Sequence, residues 1–356
     1  MKIGIISDSH LGIHDNDEEY FSYYQSIFDY FHEVCLKEKV NFAVHLGDVM
    51  HHRKKVGTNT ISFVNKIFGE LQKDIKLYVI AGNHDFRFKN SPSVCSFSEL
   101  KFSDFPNVIP IVKPEVLTLG NEEYLFLPWP KVYPESQIQQ LLNKKYDYVF
   151  GHFSVMDFYQ TVQHKDSTGF LPSEISKMAK NIFLGHFHIP QEFKNICYVG
   201  SPIHLNRNDF NQNKRFLIFD TKTSEIKEFH TNHLFPNYLK IYSVQELKNY
   251  EIRNSRLEFY LPSDKVEKIS AKQYQQLNLM LNRLGATSIK IRIFDKNQGE
   301  VFDDFEEPQE KLILSLKEIM TQLIIEESQI REANNVSTEE LKNYVQVLYT
   351  KAEKGV

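Results

Sequence analysis

The chain has 356 residues, a formal net charge of −4, and a composition that is 41% hydrophobic and 25% charged. These values are ordinary for a globular protein, and they exclude a fibrous chain, a wholly disordered chain and a uniformly basic coat for nucleic acid. The length exceeds what one compact core usually organises, so we expect one large domain with smaller ones attached.

The first 230 residues alternate short β-rich runs with helical patterns. Helical patterns at 19–38 and 59–73 separate the first three predicted strands, and this β-α-β-α-β order favours a layered α/β sheet. A hairpin is predicted at 116–119 and 124–127, turning through Gly120 and Asn121. The other predicted strands cover residues 3–7, 42–46, 77–81, 148–151, 182–185 and 216–220.

The pattern changes after about Pro236, where a small α+β domain is predicted. Its predicted elements are strands at 238–243, 257–261 and 288–294 and a helix at 265–284.

An acidic stretch at 303–308 then precedes two predicted helices, at about 309–330 and 338–352. The first of them has an amphipathic face, for which packing onto its own domain is an equally open alternative. This apolar face is formed by Leu312, Leu316, Ile319, Met320 and Leu323.

Charge is distributed unevenly along these segments. Residues 231–299 contain 11 basic against 6 acidic residues, a net charge of +5, whereas 300–356 contain 6 against 13, a net charge of −7. A basic segment and an acidic tail suggest different partners for each, although a solvated surface would have the same composition.

The cysteines and the apolar runs indicate in which cellular compartment the protein is expected. Cys35, Cys95 and Cys197 lie far apart and form no Cys-x-x-Cys pair, which predicts buried reduced thiols. The first strand reaches Asp8 too soon for a signal peptide, and no stretch approaches the roughly 18 apolar residues of a membrane-spanning helix. We therefore expect a cytoplasmic protein without a membrane contact.

Side chains that bind metals follow the predicted strands of the first 230 residues. Asp8, Asp48, Asn83, His152 and His186 each come at the end of an apolar run. Because loops at the ends of neighbouring strands converge, we expect these side chains to lie together.

Two further histidines extend the set, since His10 follows Asp8 by two positions and His188 follows His186 by two. Each short segment is common when taken alone. Together, their carboxylate, amide and imidazole groups favour two divalent cations over soft metals. Asp48 is the predicted bridge, because one carboxylate can hold two ions about 3.5–4 Å apart, the spacing used in phosphoryl displacement.

This series of residues resembles the calcineurin-like metallophosphoesterases, with each ligand type in the expected order over residues 1–230. The resemblance implies a layered β-sandwich flanked by helices. It assigns Asp8, His10, Asp48 and His188 to one metal, and Asp48, Asn83, His152 and His186 to the other.

The resemblance also makes His84 the catalytic histidine. It follows Asn83 directly and precedes Asp85, a carboxylate that could hold its imidazole in orientation for general acid catalysis. The Gly47-Asp48-Val49-Met50-His51 segment departs from the phosphoprotein phosphatase pattern, and His51 corresponds to a histidine that assists exonucleolytic cutting in the nuclease branch. A plain surface histidine, or a role for neighbouring His52, remains open at this position.

Within the superfamily, the chain is most similar to the double-strand-break-repair nucleases, which include SbcD, the Mre-type nucleases and the recombination endonuclease subunit of tailed phages. The supporting motifs are 151–154, 185–188, 198–202 and 216–220. The resemblance implies a Mn²⁺-dependent nuclease, with Mg²⁺ as the other candidate metal. It would act as a 3′-5′ double-strand exonuclease and single-strand endonuclease in DNA repair, recombination and replication, in the host cytoplasm if the gene belongs to a phage.

The same resemblance divides the chain into a nuclease domain at 1–232, a DNA-binding capping domain at 236–298 and a helical region at 305–356. Lys265, Lys268 and Lys272 would contact phosphates. The apolar face beginning at Leu312 would bind an SMC-like coiled-coil ATPase, and homodimers are usual in the branch. No Walker loop occurs in the sequence, so the chain itself is not expected to hydrolyse ATP.

Two alternatives remain open from the sequence. One is another two-metal enzyme, a phosphatase or a cyclic-nucleotide phosphodiesterase, because a metal cage does not select the substrate. The other is a metal-bound scaffold that serves the ATPase without catalysis.

Overall fold

The structure, a computed structural model, describes residues 1–262, 271–294 and 301–302. The chain forms two compact units, Met1–Phe235 and Pro236–Val356. The predicted acidic stretch at 303–308 and both predicted C-terminal helices lie outside the described residues. In the described part of the chain, no helix combines the length and the hydrophobicity that a bilayer crossing requires.

The first unit is built from short strands and a few helices. Its strands are β1 (Lys2–Ile6), β2 (Phe42–His45), β3 (Leu77–Ile80), β4 (Phe86–Phe88), β5 (Ser91–Cys95), β6 (Val108–Ile111), β7 (Glu115–Leu119), β8 (Glu122–Leu127), β9 (Tyr148–His152), β10 (Tyr159–Thr161), β11 (His164–Lys165), β12 (Asn181–Gly185), β13 (Gln191–Phe193), β14 (Ile196–Tyr198), β15 (Arg215–Asp220) and β16 (Glu225–His230). Its α-helices are α1 (Ile13–Asn16), α2 (Glu18–Glu38), α3 (Thr58–Leu71), α4 (Glu135–Leu142) and α5 (Pro172–Ile175). Short 3-10 helices cover Ser96–Glu99, Lys101–Asp104, Pro130–Val132, Arg207–Asp209 and Asn232–Leu234.

Two six-stranded sheets organise this unit. The first has the order β16-β15-β1-β2-β3-β6, with β1, β2, β3 and β6 parallel and β15 antiparallel to β1. The second has the order β13-β14-β12-β9-β8-β7, with β14, β12, β9 and β8 parallel. Parallel neighbours place their carboxyl ends along one edge of each sheet, which is where loops can gather functional side chains.

The two sheets pack face to face because their strands are apolar on both sides. Alternate residues of one strand enter different cores: Ile5 of β1 lies between the sheets and Ile6 on the outer face. Phe150 of β9 likewise lies between the sheets, and Val149 on the outer face.

Helices cover the two outer faces. Phe28 and Phe31 of α2 and Phe68 of α3 pack in the outer core of the first sheet, while Ile138 of α4 packs in that of the second. The structure therefore confirms the predicted α/β class, a layered β-sandwich flanked by helices.

The second unit is a small α+β domain in the part that the structure describes. Its strands are β17 (Asn237–Ile241), β18 (Ser255–Pro262), β19 (Ser288–Phe294) and β20 (Val301–Phe302), in that order in one sheet, with helix α6 (Ala271–Arg283) and the 3-10 helix Val244–Asn249. β17, β18 and β19 are parallel, and Leu257 of β18 and Leu281 of α6 share its apolar core.

Candidate metal centre

Loops at the carboxyl ends of β1, β2, β3, β9 and β12 bring the seven predicted ligands together. Donor atoms of Asp8, His10 and His188 lie within 4.8 Å of one another, and so do those of Asp48, His152 and His186. These groups divide the side chains between two adjacent positions, one on each side of Asp48. Each group is part of one of the two ligand sets that the resemblance implied, and the assignment of ligands to metals stays a prediction.

The carboxylate of Asp48 faces both groups. Its Oδ2 lies 3.5 Å from Nε2 of His10, and its Oδ1 lies 3.4 Å from Nε2 of His152. The main-chain N–H of His84 donates to the same Oδ1 at 2.7 Å. Asp48 therefore has the geometry of a bridging ligand, with one oxygen directed toward each position.

Uncharged ligand atoms, from amide and imidazole groups, lie at each of the two candidate metal positions. Oδ1 of Asn83 lies 2.9 Å from Nε2 of His152 and 2.8 Å from Nδ1 of His186. On the other side, the Nε2 atoms of His10 and His188 are 3.1 Å apart. Ring nitrogens and an amide oxygen thus converge on small volumes, as the coordination of a cation requires.

Main-chain groups orient these side chains. Nδ1 of His152 donates to the carbonyl of Leu46 at 2.8 Å, so that Nε2 presents its lone pair to the centre. Ser7 donates its hydroxyl to Asp8, and the main-chain N–H of His186 donates to both oxygens of that carboxylate. Partners of this kind hold ligands in orientation without occupying the face that binds metal.

The backbone is strained at the same positions. Left-handed φ angles occur at Asp8 (49°), His10 (45°), Asp48 (53°) and His186 (94°). Each such conformation costs a non-glycine residue on the order of 1–3 kcal/mol, and strain of this kind concentrates at functional sites. Four of the seven predicted ligands share it, which indicates that the fold holds them for a purpose other than stability.

Three glycines leave room for the centre. A Cβ on Gly82 would lie 2.3 Å from N and Oδ1 of Asp48, and one on Gly47 would lie 2.6 Å from Nδ1 of His152. A Cβ on Gly185 would meet the hydroxyl of Ser7 at 2.4 Å. Glycine is therefore needed at each of these three positions for a steric reason, since a Cβ would overlap the atoms beside it.

Burial determines the charges of the centre. It lowers the pKa of His186 to about 3 and of His188 to about 4, and it lowers that of His10 well below its ordinary range. These imidazoles are neutral, which is the form that binds metal. Burial opposes the charge on His152 as well, but the carboxylates of Asp48 and Asp8 raise its pKa to about 9.

The donor set fits two divalent cations of the hard-to-borderline class. Carboxylate oxygen, amide oxygen and imidazole nitrogen are present, and no cysteine is among the groups of possible ligands in the described part of the chain. A cation at the second position would displace the proton of His152 and balance the charge of Asp48 in its place.

His84 and His51 lie beside the first group, and the structure corrects the expected role of Asp85. Nδ1 of His84 lies 2.7 Å from the carbonyl oxygen of His51, to which it donates. The Asp85 carboxylate instead accepts hydrogen bonds from the main-chain N–H groups of Val49, Met50 and Gly82. Asp85 thus fastens the loops after β2 and β3 to each other, and the carbonyl of His51 orients His84.

His51 rather than His52 faces the centre. Its Nδ1 lies 3.4 Å from Nδ1 of His10, and its ring stacks with that of His84 at 5.7 Å between centroids. His10, His51 and His84 form a third group of possible ligand atoms. His52 is in ring contact with His51, with 4.9 Å between the ring centroids.

Two residues at the centre were missed in the sequence. Lys214 is fully buried, and its Nζ donates to the carbonyl of His188 at 2.9 Å and to the carboxylate of Asp209 at 2.8 Å. The indole of Trp129 lies 4.8 Å from the ring of His186. Lys214 lies 26 positions from His188, and Trp129 is still farther from His186, so no local motif could indicate either contact with a ligand.

The predicted DNA and partner contacts cannot be placed beside these residues. Lys265 and Lys268 lie outside the described residues, as does the apolar face beginning at Leu312. Lys272 lies in α6, but its side chain is not among those described.

Comparisons with known proteins agree with the geometry. The family of calcineurin-like phosphoesterases matches residues 1–212. The protein named exonuclease subunit 1 of Enterobacteria phage T4 is 30% identical over 239 residues, which span 65% of this chain and 68% of the phage protein.

Solved structures of low sequence identity also match the chain. One is a novel archaeal phosphodiesterase, with 14% identity, a TM-score of 0.36, and coverage of 65% of this chain and 99% of that one. Another is YfcE, a phosphoesterase from E. coli, with 13% identity, a TM-score of 0.32, and coverage of 65% and 100%.

Proposed function

Because this chain belongs to the calcineurin-like phosphoesterases, as its sequence motifs suggested, we propose that it is a two-metal DNA nuclease. Members of the family are hydrolases of phosphoesters and use divalent metals. The finer proposal is a 3′-5′ exonuclease on double-stranded ends and an endonuclease on single strands.

The observation that carries the proposal is the position of Asp48. Its two oxygens lie 3.5 Å and 3.4 Å from imidazole nitrogens of opposite groups. A carboxylate placed to serve two cations is an arrangement that two-metal enzymes use for in-line displacement at phosphorus.

The chain's own residues would divide the work. Bound at the two positions, the cations would activate water and neutralise charge on the phosphoryl oxygens. Asp8, His10 and His188 would hold one cation, and Asn83, His152 and His186 the other. His84, with Nδ1 held by the carbonyl of His51, would use Nε2 to give a proton to the departing oxygen.

DNA is the proposed substrate for two reasons. The T4 relative is named as an exonuclease subunit. His51, which the resemblance matches to a histidine that assists exonucleolytic cutting, stands against His10 and His84. Mn²⁺ is the proposed metal, because imidazole-rich sites suit it better than Mg²⁺, which prefers oxygen and retained water.

The other regions have proposed roles as well. We propose that 1–232 is the nuclease domain and that 236–298 caps it and binds DNA through Lys265, Lys268 and Lys272. The region 305–356 would bind an SMC-like coiled-coil ATPase through the face beginning at Leu312, with the nuclease as a homodimer. The net charge of +5 over residues 231–299 supports the DNA contact.

The proposal can be tested with the full chain, Mn²⁺ and two substrates. We expect degradation of end-labelled double-stranded DNA and little hydrolysis of p-nitrophenyl phosphate, with both reactions stopped by a chelator. Asp48→Asn should abolish cleavage and metal binding, whereas Asp29→Asn, on the exposed side of α2, should leave both unchanged. Rapid hydrolysis of the phosphomonoester with intact DNA would mean a phosphatase instead.

A further inference from the structure

A cavity of about 320 Å³ lies beside the candidate metal centre and has no role in the proposal above. It is lined by aromatic rings and by a few polar side chains. The residues that matter here are Trp129, Tyr133, Phe153, Phe170, Lys131 and Gln139.

Four separate segments build its walls, and one of them is α4, which carries Gln139. Trp129 and Lys131 belong to the turn after β8, and Phe153 directly follows β9. Phe170 lies on the loop that returns to β9, where its N–H donates to the carbonyl of Ser154 at 2.9 Å. A Cβ on neighbouring Gly169 would lie 2.5 Å from that carbonyl, so the wall is closely packed.

One side chain, Trp129, separates the cavity from the metal centre and contacts both. The indole of Trp129 contacts His186 at 4.8 Å between rings and also lines the cavity. Its main-chain N–H donates to the carbonyl of Ala81 at 3.0 Å, just before Asn83. Trp129 therefore joins the cavity wall to two of the ligands of the second cation, His186 by ring contact and Asn83 through its loop.

The chemistry of the lining selects a planar, aromatic ligand with polar edges. Phe153 and Phe170 meet edge to face at 5.5 Å, and the Nζ of Lys131 lies 5.4 Å from the ring centre of Trp129. Lys131 and Gln139 are exposed and supply hydrogen-bonding groups at the rim. The volume is at the small end of the ~300–1,000 Å³ typical of small-molecule sites, which suits one ring system rather than an extended chain.

We propose that this cavity holds the nucleobase of the nucleotide whose phosphate lies at the metal centre. The inference rests on the proposed nuclease function and makes it more specific. Stacking against aromatic side chains accepts any base, so the cavity would fix the position of the nucleotide without selecting sequence.

The chain offers a direct probe, because Trp129 is its one tryptophan. Deoxyadenosine 5′-monophosphate, added to the metal-free protein in a chelator, should change the tryptophan fluorescence with saturation. Deoxyribose 5-phosphate, which has the sugar and the phosphate without the base, should not. An equal response to both, or none to either, would overturn the proposal.

Variants locate the response. Phe170→Ala should weaken binding of the mononucleotide about tenfold, equivalent to about 1.4 kcal/mol, while Phe193→Ala, an exposed phenylalanine outside the cavity lining, should leave it unchanged. Thermal unfolding checks that Phe170→Ala is folded. If it is not, Lys131→Ala, an exposed substitution on the same rim, carries the test with the same expected direction.

A kinetic comparison separates this inference from the function on which it rests. With Mn²⁺, Phe170→Ala should raise KM for DNA that ends in a normal nucleotide and leave KM unchanged for DNA that ends in an abasic residue. Equal effects on both ends would contradict the base site while leaving the nuclease intact. A base-dependent fluorescence change in a protein that cuts no DNA would keep the base site and reject the nuclease.

Discussion

His84 is the residue through which the proposed chemistry is most directly tested. His84→Ala should lower kcat for DNA cleavage by about 10²- to 10⁴-fold, the usual contribution of a general acid. The affinity of this variant for Mn²⁺ should equal that of the native chain. The contact of His84 with Asp48 is made by the main-chain N–H, which alanine keeps. Steady-state kinetics and titration calorimetry measure the two effects.

The matched control is His230→Ala, an exposed histidine of β16. It should leave both cleavage and metal affinity unchanged. DNA degradation at the native rate by His84→Ala would remove this residue from the chemistry and favour the metal-bound scaffold.

A second prediction concerns acid stability. His45 is fully buried, its Nδ1 accepts the N–H of Gly47, and its Nε2 lies 2.9 Å from the hydroxyl of Ser9. Burial lowers its pKa to about 3, against 6.5 when exposed. As the pH falls, His45 is therefore protonated in the unfolded chain before it is protonated in the folded one. The contribution of neutral His45 to the free energy of unfolding is complete above pH 6.5 and is lost as the pH falls toward 3, by up to about 1.4 kcal/mol per pH unit.

Urea unfolding of the metal-free protein between pH 7.5 and 4 measures this loss. His45→Asn can still accept the N–H of Gly47. Its free energy of unfolding should fall less steeply with decreasing pH, because one titrating group is gone. The same slope in both proteins would show that His45 titrates normally in the folded state.

The sequence indicates side chains at the centre only where a local pattern exists. Asp8 and His10 could be identified because they follow an apolar strand two positions apart. Lys214 could not, since its partner His188 lies 26 positions earlier. The role of Asp85 was wrong because adjacency to His84 does not reveal that its oxygens accept main-chain N–H groups.

At the scale of elements, the turns after the strands are the sensitive parts. Gly82→Ala should abolish tight Mn²⁺ binding, because its Cβ would overlap N and Oδ1 of Asp48 at 2.3 Å. Crowding of this kind in a packed site typically costs about 1–3 kcal/mol of unfolding free energy. Calorimetry with Mn²⁺ and urea unfolding measure the two effects.

Gly69→Ala is the control for that substitution. Gly69 lies inside α3, and its nearest neighbour would be Cζ of Phe105 at 3.2 Å, the end of a side chain that can move. This variant should keep its metal affinity, and alanine should favour the helix by up to about 1 kcal/mol. Equal loss of metal in both variants would contradict the steric account of Gly82.

Lys214 joins the loops after β12 and β14 with the 3-10 helix Arg207–Asp209. Lys214→Met would leave the buried carboxylate of Asp209 without its cationic partner, and a loss of this kind typically costs about 3–5 kcal/mol. Release of the His188 carbonyl should also weaken Mn²⁺ binding. Lys180→Met removes an ion pair with Asp147 in which the lysine is exposed, so solvent screens the attraction and the free energy of unfolding should change little.

Urea unfolding and calorimetry on both variants decide the point. If Lys214→Met lowers the free energy of unfolding and the Mn²⁺ affinity no more than Lys180→Met does, the buried cation does not stabilise the loops that it joins.

The elements that could be predicted are the ones whose pattern is strong within the element itself. β1, β2, β3 and β12 are continuous apolar runs, and α2 has a long amphipathic pattern. β10 and β11 are short and exposed. They exist because the turn between them pairs their backbones, which composition does not reveal.

The whole molecule combines a catalytic unit with regions of separate proposed roles. Truncation after Asp304 should abolish binding of the coiled-coil ATPase while Mn²⁺-dependent cleavage of short DNA continues, because every proposed metal ligand lies before residue 189. Co-purification with a co-expressed coiled-coil ATPase and a cleavage assay test this together.

Two outcomes would contradict that division. Loss of both activities would mean that the helical region belongs to the catalytic core. Retention of both ATPase binding and DNA cleavage would mean that the ATPase contact lies elsewhere in the chain. The full-length chain is the reference in each assay.

The position of β1 has a consequence for synthesis of the chain. β1 lies between β2 and β15, and Gly4 pairs with Ala43 on one side and Ile218 on the other. One edge of this apolar strand stays open until β15 leaves the ribosome, a delay on the order of 10 to 40 s at usual rates of elongation. During that interval the nascent chain exposes an unpaired apolar strand edge that other chains can pair with, so we expect its yield to depend on chaperones.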